Sequence, residues 1–137
     1  MQRYPDAFDK ISKRCESSGF ASLSKRDQIV YCVWWLESEV NNGGFHQFFL
    51  NSAGDFYLET LSALDCIGAQ FTRRLLLSAA DLVFSGKSPQ GINRREYMLN
   101  ELSEKLTGQL YELDKKFYAY QDNIEQLVNI YLTTHPV

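Results

Sequence analysis

The stretch that decides the fold is SKRDQIVYCVWWLESEVNNGG, residues Ser24–Gly44. Ser24 with Asp27 three residues on is a capping-box-like start, in which short side chains take up backbone N–H groups that a first helical turn leaves unpaired. Ile29, Val33, Leu36 and Val40 then recur at the spacing of one helix face, and Trp34 and Trp35 widen that face. The spacing predicts a mostly buried helix from Lys25. Asn41-Asn42-Gly43-Gly44 ends it, because Asn and Gly accept the left-handed backbone of a helix terminus that branched residues resist.

The same pattern continues on both sides. Upstream, Phe8, Ile11 and Cys15 mark a helix over residues 6–17, followed by a connection through Gly19 and a Ser-rich stretch. Downstream, Phe45, Phe48 and Phe49 form a short aromatic helix that ends near Asn51-Ser52-Ala53-Gly54. Asp55 is placed as the cap of the next helix, with Leu58, Leu61, Leu64 and Cys66 or Ile67 inward and Gly68 as its interruption. A helix over residues 70–85 carries Phe71, Leu75, Leu76, Ala79, Leu82 and Val83 and stops at Gly86. Lys87–Ile92, with Pro89 and Gly91, is the clearest loop.

Beyond that loop Asn93 is placed as the cap of a helix through Leu99, Leu102 and Leu106, with Leu110 and Leu113 as its continuation past Gly108. Residues 114–120 stay open between helix and extended chain. Asp122 opens a last helix through Ile124, Leu127, Val128, Tyr131 and Leu132, ended by Pro136. There is no strand pattern, internal repeat or low-complexity segment. The expectation is an all-α fold, a single compact domain of about six or seven helices over residues 1–137.

Composition agrees with one core. A chain of 137 residues with 45% apolar and 23% charged side chains is an ordinary globular domain, which excludes disorder as its main state. Three Pro and eight Gly argue against a turn-dense all-β fold. Cys15, Cys32 and Cys66 are odd in number and lack CxxC spacing, so neither a disulfide framework nor a zinc site is expected. The N-terminal run Met1–Asp6 lacks the apolar stretch of a signal peptide. The longest apolar run, Ile29–Leu36, is far short of the about 20 residues that span a bilayer. A soluble cytoplasmic protein without membrane contact is expected.

Charge is unevenly placed. Residues 1–26 are net basic, whereas residues 27–72 carry Asp27, Glu37, Glu39, Asp55, Glu59 and Asp65 and no Lys or Arg. Wherever these acids reach the surface they attract basic partners and repel nucleic acid. Catalytic signatures are missing: no nucleophile elbow, phosphate loop or dinucleotide fingerprint occurs. His135 sits two residues from the C-terminus, in a tail expected to fray, and His46 has no second histidine one helical turn away. Cys32 and Cys66 lie in apolar runs and are expected to be inert core thiols. The doublets Arg73-Arg74 and Arg94-Arg95 are expected on solvated faces, not on nucleic acid. No catalytic residue, metal or cofactor is assigned, and the chain is not expected to be an enzyme.

The segment with most local character runs from Glu37 to Asp55. Within it, Glu39-Val-Asn-Asn-Gly-Gly-Phe-His-Gln-Phe-Phe-Leu-Asn-Ser-Ala-Gly-Asp55 resembles the hallmark of the bacterial DNA-mimic protein family, long catalogued as a domain of unknown function. The resemblance is densest over residues 34–84, and it extends to Leu113-Asp114, Phe117-Tyr118 and the closing Tyr131-Leu132. It implies an all-helical fold and a non-enzymatic role, in which surface carboxylates imitate DNA phosphates and occupy a transcription factor. Duplex DNA is a regular line of negative charge, so spaced Asp and Glu compete for the same Lys/Arg surface. Carried over by position, the partner-binding residues are Glu37, Glu39, Asp55 and Glu59, with the corner amides Asn42 and Gln47.

Three readings follow. In the first, the acidic face occupies a basic protein partner, either a DNA-binding regulator or, as an immunity-type inhibitor, a nuclease or other toxin. In the second, Glu39, Asn42, His46 and Gln47 form a small-ligand or enzymatic site at the polar corner. In the third, the chain dimerises through exposed aromatics such as Tyr118 and Tyr120; monomer and homodimer both remain open.

Overall fold

The computed structural model describes residues 3–136; Met1 and Gln2, part of the N-terminal run considered above, and Val137 lie outside the described residues. Among the described residues there are seven α-helices and no strand. They are α1 (Tyr4–Ser18), α2 (Lys25–Leu50), α3 (Tyr57–Ile67), α4 (Gln70–Phe84), α5 (Ile92–Asn100), α6 (Glu104–Tyr118) and α7 (Ile124–Thr134). Two short 3₁₀ turns, Phe20–Ser22 and Ser52–Phe56, flank α2.

Helix α2 is the centre of the molecule and touches α1, α3, α5 and α6. Ser24 caps it as expected, its Oγ accepting from the Asp27 N–H at 3.2 Å. Its apolar face is buried at Ile29, Val33, Leu36 and Val40. The stop at Gly43-Gly44 is real, but no loop follows. Gly43 (φ −155°) and Gly44 (φ 72°) break the helical geometry, and the chain re-enters a helix at once through Phe45. This second half supplies Phe45, Phe48 and Phe49, all fully buried. Phe49 meets Phe84 of α4 edge-on at 5.0 Å, and Phe45 meets Phe117 of α6 edge-on at 5.8 Å, geometries that suit the aromatic quadrupole.

Several boundaries differ from the sequence expectation, most of them because a tertiary partner or a nearer cap took precedence. Asp55 does not cap α3; it lies in the 3₁₀ turn and pairs with Arg95. Asn93 does not cap α5, which starts at Ile92 after Gly91. The Leu99–Leu113 pattern is two helices, not one. Helix α5 ends at Asn100, and Ser103 starts α6 by accepting from the Leu106 N–H at 3.1 Å. The open segment after Asp114 is helical to Tyr118. Asn123, not Asp122, caps α7. Asp122 instead accepts from the Thr72 N–H at 2.7 Å and so caps α4 from across the structure. Helix α3 closes as expected at Gly68, whose left-handed backbone (φ 82°) lets the Ala69 N–H reach the Leu64 carbonyl.

Of the cysteines, Cys32 is buried, and burial pushes its thiol up to about 12, so it is inert as expected. Cys66 is exposed, because Ile67 takes the inward position at the end of α3. His135 is not a loose tail: its ring stacks on Tyr131 at 4.0 Å, and its carbonyl accepts from Arg26 Nε at 2.7 Å. No helix among the described residues is long and apolar enough to cross a membrane.

The two expected caps separate in a denaturation experiment. Ser24→Ala should lower the unfolding free energy by about 1 kcal/mol through loss of the α2 cap. Asn93→Ala should stay within about 0.5 kcal/mol of the wild type. Urea midpoints of both variants check the pair.

Candidate partner-binding site

The break in α2 is filled from α6. The first N–H groups of a restarting helix lack partners in the turn before them, and Asp114 Oδ1 accepts from the Phe45 N–H at 2.9 Å. A Cβ on Gly44 would overlap the Asp114 carboxylate, and its positive φ is one that other residues resist. Gly44 is therefore required twice, by backbone conformation and by the approach of Asp114. The Tyr118 hydroxyl, one helical turn further along α6, donates to the Val40 carbonyl at 3.0 Å, just before the break. Burial raises the Asp114 carboxyl above its ordinary range, against the opposing pull of the Phe45 N–H and the nearby His46.

The second half of the motif, Asn51–Asp55, wraps a guanidinium. Arg95 has no exposed surface. Its Nε donates to the Phe49 carbonyl at 2.6 Å and its Nη1 to the Pro89 carbonyl at 3.1 Å. Its Nη2 donates to the Asn51 carbonyl at 3.2 Å and to Asp55 Oδ1 at 2.8 Å. A Cβ on Gly54 would come within 2.8 Å of Arg95 Nε, so glycine lets the turn close on the guanidinium plane. Arg95 was expected on a solvated face. The available signal was register: Arg95 precedes Leu99 by four residues, which places both on the apolar stripe of α5.

The residues expected to bind a partner are distributed over different environments. Glu37 is half-buried and accepts from two tyrosine hydroxyls, Tyr4 (2.5 Å) and Tyr120 (2.8 Å), and the Tyr120 hydroxyl also accepts from Asn41 Nδ2 at 2.8 Å. Burial raises its carboxyl above the ordinary value, while the two hydroxyls pull it down. Glu39 is only 8% exposed and accepts from Asn51 Nδ2 at 2.7 Å. Asn42 is exposed and donates to Gln47 Oε1 at 3.1 Å. Asp55 is anchored to Arg95 yet half exposed at its side chain. Glu59 is exposed on α3, as is Asp65, whose carboxylate accepts from Gln70 Nε2 at 2.8 Å. Asp27, the remaining acid of the base-free stretch, is buried between Arg14 and Arg26.

Glu39 and Phe56 line a cavity of about 80 Å³ together with Tyr31, Cys32, Trp35, Ser52, Ala53 and Thr60. That cavity includes none of Asn42, His46 or Gln47, so the polar-corner set is not gathered around it. Among the described residues no group of three His, Cys, Asp or Glu side chains is placed to hold a metal ion. Of the two aromatics considered for dimerisation, Tyr118 is 46% exposed while Tyr120 is half-buried in the Glu37 cluster.

The Glu39–Asp55 motif is thus a structural unit completed by Asp114 and Arg95, and a family model spanning both halves of that unit matches residues 21–135. The chain belongs to the DMP19-like protein family. Neither the curated proteins nor the solved structures contain a significant match to it. The DMP19-like match starts at Ala21, within the first 3₁₀ turn, and runs through α7, so it takes in every helix except α1.

Two outcomes follow from these contacts. Gly44→Ala should cost about 2–4 kcal/mol, since it combines backbone strain with displacement of a buried carboxylate; urea denaturation measures it. Glu37 has a folded pKa above its unfolded value, so its protonated form favours the fold. That contribution is full below the ordinary glutamate range and is lost as pH rises through the folded pKa. Glu37→Gln lacks it. The stability of the variant relative to the wild type should therefore rise as pH climbs above the ordinary glutamate range, as followed by denaturation at a series of pH values.

Proposed function

We propose that this DMP19-like domain is a non-enzymatic protein-binding module whose acidic ridge occupies a basic surface on a partner, as a DNA mimic occupies a DNA-binding regulator. The observation that carries the reading is the placement of Asp55, Glu59 and Asp65. All three are exposed along the 3₁₀ turn and α3, within a stretch that has no Lys or Arg of its own. The cation that pairs with Asp55, Arg95, lies wholly beneath the surface. The ridge therefore presents carboxylates without presenting their counter-charge.

The acidic face is narrower than the sequence suggested, because Asp27 and Glu39 are buried and Glu37 is half-buried against two tyrosines. At about 1.5 Å per residue, Glu59 and Asp65 stand about 9 Å apart along the α3 axis. Duplex DNA carries one charge per about 1.7 Å of its axis. A compact basic patch suits this ridge better than a long groove. Such a patch is found on a DNA-binding regulator and on a nuclease or other toxin alike, and the identity of the partner distinguishes antagonist from immunity protein.

Affinity capture from lysate on the immobilised domain, eluted by a salt gradient and read by mass spectrometry, tests the proposal. The expected result is a basic protein released as salt rises, because screening shortens the reach of the ridge to about 8 Å at physiological ionic strength. The double variant Glu59→Gln, Asp65→Asn should release it at lower salt. A partner that leaves the variant and the wild type at the same salt overturns the acidic-ridge reading.

A further inference from the structure

The cavity beside the ridge has an unusual floor. Glu39 is 8% exposed, yet among the described residues no Lys, Arg or His pairs with it; Asn51 Nδ2 is its hydrogen-bond donor. A buried carboxylate normally has a cation or several donors, since taking a charge out of water otherwise costs several kcal/mol. The walls are aromatic: Tyr31 and Trp35 from α2 and Phe56 from the 3₁₀ turn. These rings belong to one cluster, with Tyr31 6.4 Å from Trp35 and 6.2 Å from Phe56, both edge-on. The Cys32 thiol, itself part of the lining, is pushed up by burial and, to a lesser extent, by the negative charge of Glu59 on the ridge. No basic residue lines the cavity.

Aromatic side chains around a carboxylate, with no cation in the lining, are complementary to a flat cationic group. We propose that this slot receives an arginine side chain of the partner protein, its guanidinium against the rings of Tyr31, Trp35 and Phe56 and paired with the Glu39 carboxylate. Arginine fits better than lysine. Its guanidinium is flat, weakly hydrated, stacks on aromatic rings and meets a carboxylate with two parallel donors. The space is about 80 Å³, more than a single water requires. The proposal rests on the reading of the domain as a binder of basic proteins and adds the contact that gives the encounter specificity: the ridge supplies long-range attraction, the slot a fixed point of registration.

The probe is N-acetyl-arginine amide, titrated into the ¹⁵N-labelled domain, with N-acetyl-citrulline amide as its neutral isostere. Arginine amide should shift the Trp35 indole N–H and the Asn51 side-chain amide saturably, and citrulline amide should not. Glu39→Gln, which keeps an acceptor for Asn51, should weaken binding about tenfold or more. Ala53→Leu, which fills the slot and leaves Glu39 in place, should abolish the response while the rest of the spectrum is retained. Non-saturating shifts, equal shifts with citrulline amide, or full binding by Glu39→Gln overturn the slot. In the capture experiment, retention unchanged by Glu39→Gln but lowered by Glu59→Gln, Asp65→Asn removes the slot and keeps the ridge; retention unchanged in both removes the ridge reading as well.

Discussion

Arg95 is a guanidinium with no exposed surface, and the turn from α2 into α3 takes its shape from it. Three backbone carbonyls, of Phe49, Asn51 and Pro89, and the Asp55 carboxylate converge on it. An arginine in this position saturates acceptors that a helix C-terminus and a tight turn would otherwise leave unpaired and buried. Its fork geometry matters as much as its charge, because one side chain bonds acceptors in three directions, which an ammonium on a flexible stem does less well. The turn it fixes carries Asp55 and Phe56, and so sets both the start of the acidic ridge and one wall of the cavity above Glu39.

The same logic recurs at other helix ends. Asp114 caps the restarted half of α2, Asp122 caps α4, and the Tyr118 hydroxyl takes the Val40 carbonyl. In each case the end of an element in the first two-thirds of the chain is completed by a side chain from the last third. Polar groups here do the joining between helices, while the packing of Phe45, Phe48, Phe49 and Phe84 supplies the apolar burial. The acids that look alike in the sequence thus divide into two kinds: those consumed in closing the fold and those left on its surface.

That division marks the limit of what the sequence discloses. The all-helical class, the Ser24 cap, the buried face of α2 and the breaks at Gly43-Gly44 and Gly68 are legible because they are local: periodicity, caps and positive φ act within a few residues. The roles of Arg95, Asp114 and Asp122 are not, because their partners lie far along the chain and no spacing rule links them. Asp55, placed as a helix cap, answers to a guanidinium 40 residues away. Glu37 and Glu39 share the composition of exposed acids, but their surroundings come from α1, the turn after α6 and the turn after α2, which only the assembled fold brings together.

The distance along the chain between these partners also sets an order of events during synthesis. The three phenylalanines and the three glycines of the motif leave the ribosome well before Arg95 and Asp114, which follow Phe49 and Phe45 by 46 and 69 residues. Until the last third of the chain has emerged, the corner has neither its cap nor its guanidinium, and Phe45 lacks Phe117, its partner on α6. Pairings of such separation form late, after the entropy of closing long loops has been met. The nascent domain therefore passes through a long interval as an open, apolar half-fold, a natural client for chaperones and a target for proteases, and it becomes self-sufficient only when its C-terminal helices arrive.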